Sequence, residues 1–184
     1  MGDDIKSIDE LRRDALQIYN AAVGAVNGRR VVADALGEQP FKDPSHLIAI
    51  GKAADAMSAG ACEICGDSLV GGLVITKHGH AGPDLKDDPR FKVLESDHPV
   101  PGEASLDAGC ALLAFIDSAP GDARFLFLLS GGASSLVEVL QPGVTPTDYR
   151  RANEWLLGSG LDIHQINAVR KRLSAIKGGK LVRF

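Results

Sequence analysis

Six consecutive small residues, Ser130, Gly131, Gly132, Ala133, Ser134 and Ser135, follow the apolar run RFLFLL without a spacer. Placed after a strand, their backbone amides can curl into a concave nest, because glycine lets the main chain approach an anion closely. The hydroxyls of Ser130, Ser134 and Ser135 add donors suited to phosphate or carboxylate oxygens. An ordinary strand-to-helix turn is the alternative reading, but two glycines and three serines exceed what a turn requires. Lys52 stands beside Gly51 at the foot of an alanine-rich stretch. A cation there meets the positive end of a helix macrodipole, and a bound anion would relieve that penalty. A solvated lysine is the other reading, so Lys52 gains weight as a catalytic candidate from its place at a strand end.

Asn167, Arg170, Lys171 and Ser174 recur at three- and four-residue spacing, with Lys177 just beyond. On one helical face they could grip a polyanion. The competing reading is a solvated basic face, with Lys177 and Lys180 complementing the helix carboxyl end. Ser96, Asp97 and His98 close another strand candidate before two prolines, and could form a loop at the site with His98 as a donor. Lys77, His78 and His80 also follow a strand but lack metal-ligand spacing, and read as structural or surface groups. No metal ligand can be named. Neither GxxxxGK[ST] nor a GxGxxG after a strand is present, which argues against a P-loop kinase and a dinucleotide oxidoreductase.

These residues need elements to hold them. Residues 8–26 repeat Ile8, Leu11, Ala15, Ile18, Ala22 and Val26 at helical spacing, behind a Ser7/Glu10 capping box. A short helix over 31–36 precedes a loop marked by Gly37, Pro40 and Pro44. Then strands over 47–50, 72–76, 91–95 and 124–129 alternate with helices over 52–65, 104–116, 146–157 and 163–176. The strand at 124–129 is the most hydrophobic and is expected to lie centrally. The alternation predicts an α/β fold: an open, doubly wound, mostly parallel, Rossmann-like sheet with helices on both faces, whose ligands collect at the carboxyl ends of the strands.

Composition bounds the rest. The chain has 184 residues, 20 basic and 24 acidic, for a net charge of −4, with 45% hydrophobic and 24% charged residues. That describes one globular domain with a real core and argues against a general nucleic-acid binder. No apolar run has the length of a membrane span, so no membrane partner is expected and a cytoplasmic location is. Cys62, Cys65 and Cys110 read as reduced thiols, the CxxC pair as small helix residues. Beyond Asp162 no acidic residue occurs, and the chain stops just past a glycine pair. That abrupt stop suggests a shortened piece of something longer.

In series, IGKAADAM (50–57), ESDHPVPGEAS (95–105), LLSGGASSL (128–136) and INAVRKRLSAIKGGKL (166–181) resemble glycerate 2-kinases of the MOFRL type, some labelled hydroxypyruvate reductases. The resemblance implies an N-terminal α/β domain that works with a second, carboxyl-terminal domain. Together they would transfer the γ-phosphoryl of ATP to D-glycerate with a divalent metal, Mg2+, giving 2-phosphoglycerate. It also implies that Lys52 matters for activity and that the SGGASS segment is the phosphate or substrate cradle. Asn167, Arg170, Lys171, Ser174 and Lys177 match the family's basic helix. Segments like the family's SDVPGD, SGPT and GGRN motifs are not matched, so the chain is expected to be incomplete and inactive alone. Two other readings stand beside this one: a nicotinamide-dependent hydroxypyruvate reductase, and a non-catalytic anion-binding module. The sequence does not decide between a monomer and a homo-oligomer.

Overall fold

Four short apolar segments form the sheet of the computed structural model, which describes residues 6–38 and 43–184. They are β1 (Ser45–Ile50), β2 (Leu69–Lys77), β3 (Phe91–Ser96) and β4 (Arg124–Leu129), all parallel and ordered β3-β2-β1-β4. Side chains alternate across a strand, so a strand covered on both faces must be apolar at consecutive positions. β1 shows this: Leu47 and Ala49 enter one core, Ile48 and Ile50 the other. The first core is closed by α2 (Gly28–Glu38), α3 (Ala54–Cys65) and α4 (Pro83–Lys86) through Val32, Leu36, Ala61 and Leu85. The second is closed by Ala108 and Leu112 of α5 (Glu103–Ser118) and Leu136 of α6 (Ala133–Leu136). Helices therefore cover both faces of the sheet, as the alternation predicts.

α7 (Pro146–Gly158) and α8 (Ile163–Leu173) lie beyond α6 and pack on each other. Their starts are fixed by side-chain caps: Thr145 accepts from the Asp148 amide, and Asp162 from the His164 and Gln165 amides. α1 (Ile8–Ala25) opens on the expected capping box, the Ser7 amide donating to Glu10 at 2.8 Å and the Glu10 amide to Ser7 Oγ at 3.3 Å. Unlike the other long helices of the sheet layers, α1 buries no side chain. No helix is long and apolar enough to cross a membrane among the described residues.

Several expectations need correction. β4 is not central but pairs only with β1, at an edge of the sheet, and Phe127 and Leu129 are 40% and 62% exposed. Hydrophobicity does not fix strand order; the chain crosses back over β1 after β3, and that crossover places β4 outermost. The helix at 31–36 starts earlier and runs through Gly37 as α2, while Pro40 lies outside the described residues. The helix expected from Lys52 begins at Ala54, because a turn takes up Gly51–Ala53. The helix expected to reach Ile176 ends at Leu173: Ser174 is extended and bridges Leu140.

Candidate anion-binding site

Strand order 3-2-1-4 puts a topological switch point at the carboxyl ends of β1 and β4, the place where ligands of open parallel α/β sheets collect. The turns leaving these two strands are stitched together there. The Ser130 amide donates to the Ile50 carbonyl at 3.0 Å, the Lys52 amide to the Gly131 carbonyl at 2.9 Å, and the Ala53 amide to Ser130 Oγ at 3.1 Å. Ser130 is thus a strut between the turns as well as a surface hydroxyl.

Such closeness requires glycine. Gly51 is buried with φ +136°, and a Cβ there would fall on the Ser130 backbone and hydroxyl. Gly51→Ala combines a disfavoured backbone region with overpacking, and should cost about 3 kcal/mol in urea unfolding. A loss below 1 kcal/mol, roughly what an ordinary surface change costs, would show that the two turns are not rigidly coupled.

The turn after β4 leaves donors free. Gly132 adopts a left-handed conformation, φ 92°, and its carbonyl accepts from the Ser135 amide and hydroxyl. Among the described residues, the amides of Gly131, Gly132 and Ser134 find no acceptor. Over Gly132 an ammonium and an imidazole converge: a Cβ at that position would lie 3.0 Å from His98 Cδ2 and 3.3 Å from Lys52 Cε. The Lys52 ammonium is exposed and pairs with no carboxylate among the described residues. His80 Nδ1 lies 3.4 Å from the Lys52 carbonyl, and Lys77 ends β2 alongside.

His98 reports on this field. Burial and then the charges of Lys52, Lys77 and His80 push its pKa below the ordinary histidine value. Asp97, next in sequence, is turned elsewhere: it accepts from the Ala104 amide at 3.1 Å, capping α5, and lies 3.5 Å from His78 Nε2. A bound anion would offset the positive charges, so it should raise the His98 pKa. By linkage, such an anion binds more tightly as pH falls through the interval between the free and bound values. An NMR titration of the imidazole with and without inorganic phosphate measures both. An unchanged midpoint at saturating phosphate would place the anion away from His98.

The cluster fits oxygens of phosphate or carboxylate: unpaired amides, an ammonium and an imidazole. It does not fit a divalent cation, which these charges would repel, and no group of three His, Cys, Asp or Glu gathers as metal ligands among the described residues.

The remaining candidates sit differently. Ser96 is fully buried and donates to the Leu136 carbonyl at 2.7 Å, fastening β3 to the end of α6. Ser135 is buried, while Ser134 faces solvent. Ser174 is not on the α8 face with Asn167, Arg170 and Lys171: it lies past the helix end, and its hydroxyl accepts from the Ile176 and Lys177 amides. Arg170 donates to Asn153 of α7 at 2.8 Å. Lys177 contacts the fully buried Glu138, which also accepts from the Tyr149 hydroxyl, and donates to the Val137 carbonyl at 3.0 Å. Lys180 donates to the Lys171 and Ser174 carbonyls, each at 2.6 Å, and so complements the helix carboxyl end as the competing reading has it, whereas Lys177, paired with it in that reading, does not. None of these contacts reaches Lys52 or His98. Sequence reading missed Glu138 as the partner of Lys177, because 39 residues separate them. It also set His80 and Lys77 aside; their position after β2, beside β1, was the available signal.

Residues 14–184 match the family model described as a domain of unknown function, DUF4147. A D-glycerate 2-kinase of Thermotoga maritima is 37% identical over 172 residues, which is 94% of this chain and 40% of the relative. A protein of Agrobacterium vitis with hydroxypyruvate reductase as a provisional name is 38% identical over 180 residues, 98% of this chain and 39% of its own. A crystal structure of glycerate kinase from Thermotoga maritima superposes with a TM-score of 0.84 at 36% identity, covering 95% of this chain and 41% of that one. The chain thus spans about 40% of the length of these relatives.

Proposed function

This chain belongs to the DUF4147 family, and we propose that it forms the N-terminal part of a D-glycerate 2-kinase, one wall of a site that transfers a phosphoryl group from ATP to the 2-hydroxyl of D-glycerate. The observation that carries the reading is the convergence of Lys52 and His98 over Gly132, beside the unpaired amides of the Ser130–Ser134 turn. Phosphoryl transfer needs in-line positioning and neutralisation of charge on the phosphoryl oxygens more than a covalent catalyst. Lys52 would supply the neutralising charge; the Gly131, Gly132 and Ser134 amides would hold oxygens without reorganising during the reaction. His98 would donate to a carboxylate or phosphate oxygen. Magnesium bound with the nucleotide would supply further charge neutralisation, and none of the residues gathered over Gly132 would hold it. The segment that the longer relatives possess would form the opposite wall, as the second domain of the enzyme, with the whole acting as a cytoplasmic enzyme.

Asn167, Arg170 and Lys171 would serve this function from α8 as an outer basic flank, Ser174 by turning the chain past the end of that helix, and Lys177 by anchoring the following segment on Glu138. Phosphorus NMR of the chain with ATP, magnesium and D-glycerate reads both reaction and regiochemistry. A 2-phosphoglycerate resonance supports the reading outright. If no product forms, saturable D-glycerate binding that raises the His98 pKa supports it as a half-site. Formation of 3-phosphoglycerate, absence of both product and binding, or NADH oxidation with hydroxypyruvate would overturn it.

A further inference from the structure

Residues 78–82, HGHAG, join β2 to α4, and backbone hydrogen bonds rather than apolar packing hold them in place. The Gly79 and Ala81 amides both donate to one oxygen of Glu95 on β3, at 3.1 and 3.4 Å, and the Gly82 amide donates to Asp55 of α3 at 2.9 Å. The His80 amide donates to the Lys77 carbonyl at 3.0 Å. Gly79 permits this course: its φ of +75° lies in the left-handed region and open space surrounds it, so conformation rather than room calls for glycine. The path of the loop therefore does not depend on the His80 side chain, which is exposed.

That side chain has one polar contact among the described residues, Nδ1 at 3.4 Å from the Lys52 carbonyl. A carbonyl oxygen only accepts, so in the neutral ring the proton sits on Nδ1 and Nε2 is left as an unshared lone pair. His80 belongs to the cluster already described: Lys52, whose carbonyl it meets, sends its side chain over Gly132, and His80 is among the charges that bear on His98. The amides of Gly131, Gly132 and Ser134 and the Lys52 ammonium can only donate. Donors alone would hold any small carboxylate or phosphate. A ligand that also carries hydroxyls brings donors of its own, and His80 Nε2 supplies the acceptor that the amides and the ammonium lack.

We propose that His80 Nε2 accepts a hydrogen bond from a hydroxyl of the bound ligand and so selects a hydroxy acid over an unsubstituted carboxylate of the same chain length. This rests on the function proposed above, since it takes the ligand's charge to sit against Lys52 and the turn after β4. The expected selectivity is modest. Replacing a ligand hydroxyl by hydrogen returns the exposed Nε2 to water, so the loss is that of one ordinary hydrogen bond rather than of a buried acceptor left unpaired.

Nitrogen and amide NMR of the chain, titrated in parallel with D-glycerate and with propionate, in which both hydroxyls are replaced by hydrogen, tests the assignment. D-glycerate should bind about fivefold more tightly than propionate and should move the His80 Nε2 resonance, which propionate leaves in place. In His80→Ala the affinity for D-glycerate should fall to that for propionate, with propionate binding unchanged. Thermal unfolding of that variant should match the parent, because the amides of residues 79–82 keep their acceptors. If neither acid perturbs Lys52, Gly132 and His98, the proposed function and the part given to His80 are overturned together. Equal affinities for the two acids, a His80 Nε2 resonance that D-glycerate does not move, or a preference that His80→Ala leaves intact would overturn the part given to His80 alone and leave the anion site standing.

Discussion

Under the kinase function proposed, Lys52→Ala in the full-length protein should lower kcat about a hundredfold and leave thermal unfolding of the α/β core where it was, as expected for loss of one preorganised charge at a transition state. The two halves of that expectation have separate grounds. Lys52 has an exposed side chain with no carboxylate partner among the described residues, so its removal orphans nothing within the chain. Its backbone, which is retained in the variant, makes the structural contact through the amide donated to Gly131. What alanine removes is the ammonium over Gly132, beside the free amides and His98. If that ammonium grips the ground state and transition state equally, KM would rise with kcat unchanged; if it acts on charge in the transition state, kcat falls. Steady-state kinetics with ATP and D-glycerate distinguishes these, and turnover equal to the parent enzyme would refute a catalytic role for Lys52.

Lys177→Ala should have the opposite signature: a loss of about 3–5 kcal/mol in stability from removing one partner of a buried ion pair. Glu138 is fully buried, and Lys177 is the cation in contact with it; Tyr149 and the Val139 amide supply its remaining hydrogen bonds. Burial lowers the Lys177 pKa and Glu138 partly restores it, while burial beside Glu138 pushes the Tyr149 hydroxyl far above its usual range. Glu138, Tyr149 and Lys177 thus form one buried cluster held by mutual contact. Removing the ammonium leaves a carboxylate without water or a counter-charge. The pair Glu138→Gln with Lys177→Met should recover a large part of the loss, since neither variant then leaves an isolated charge. Urea unfolding measures both. A Lys177→Ala chain as stable as the parent would show that the contact between Lys177 and Glu138 does not hold the fold.

The contrast between these two lysines shows how much of the molecule was legible in its sequence. Local features read well: the Ser7/Glu10 capping box, the four strand segments, and the Gly51–Lys52 and Ser130–Gly132 turns after strands all depend on residues within a few positions of one another. Long-range placement did not. RFLFLL is apolar enough for a central strand, yet it lies at an edge because the crossover after β3 decides order, and no local pattern encodes that. Ser174 falls at helical spacing from Lys171 and Arg170, but its bridge to Leu140 ends the helix one residue earlier. Lys177 looked like a member of a basic face until its buried partner, far away in sequence, became visible. His98 illustrates the reverse case: its sequence context suggested only a loop near the site, whereas the fold brings it to within contact of the same point as Lys52.

Binding of the substrate's anionic groups at the turns leaving β1 and β4 is tested by amide and imidazole NMR of the chain titrated with 2-phosphoglycerate, which carries both a carboxylate and a phosphate. Saturable shifts are expected at Lys52, Gly131, Gly132, Ser134 and His98, with the His98 pKa rising, and they should be lost in Lys52→Ala. Shifts centred instead on α8 around Arg170 and Lys171, with the turn after β4 unmoved, would contradict it.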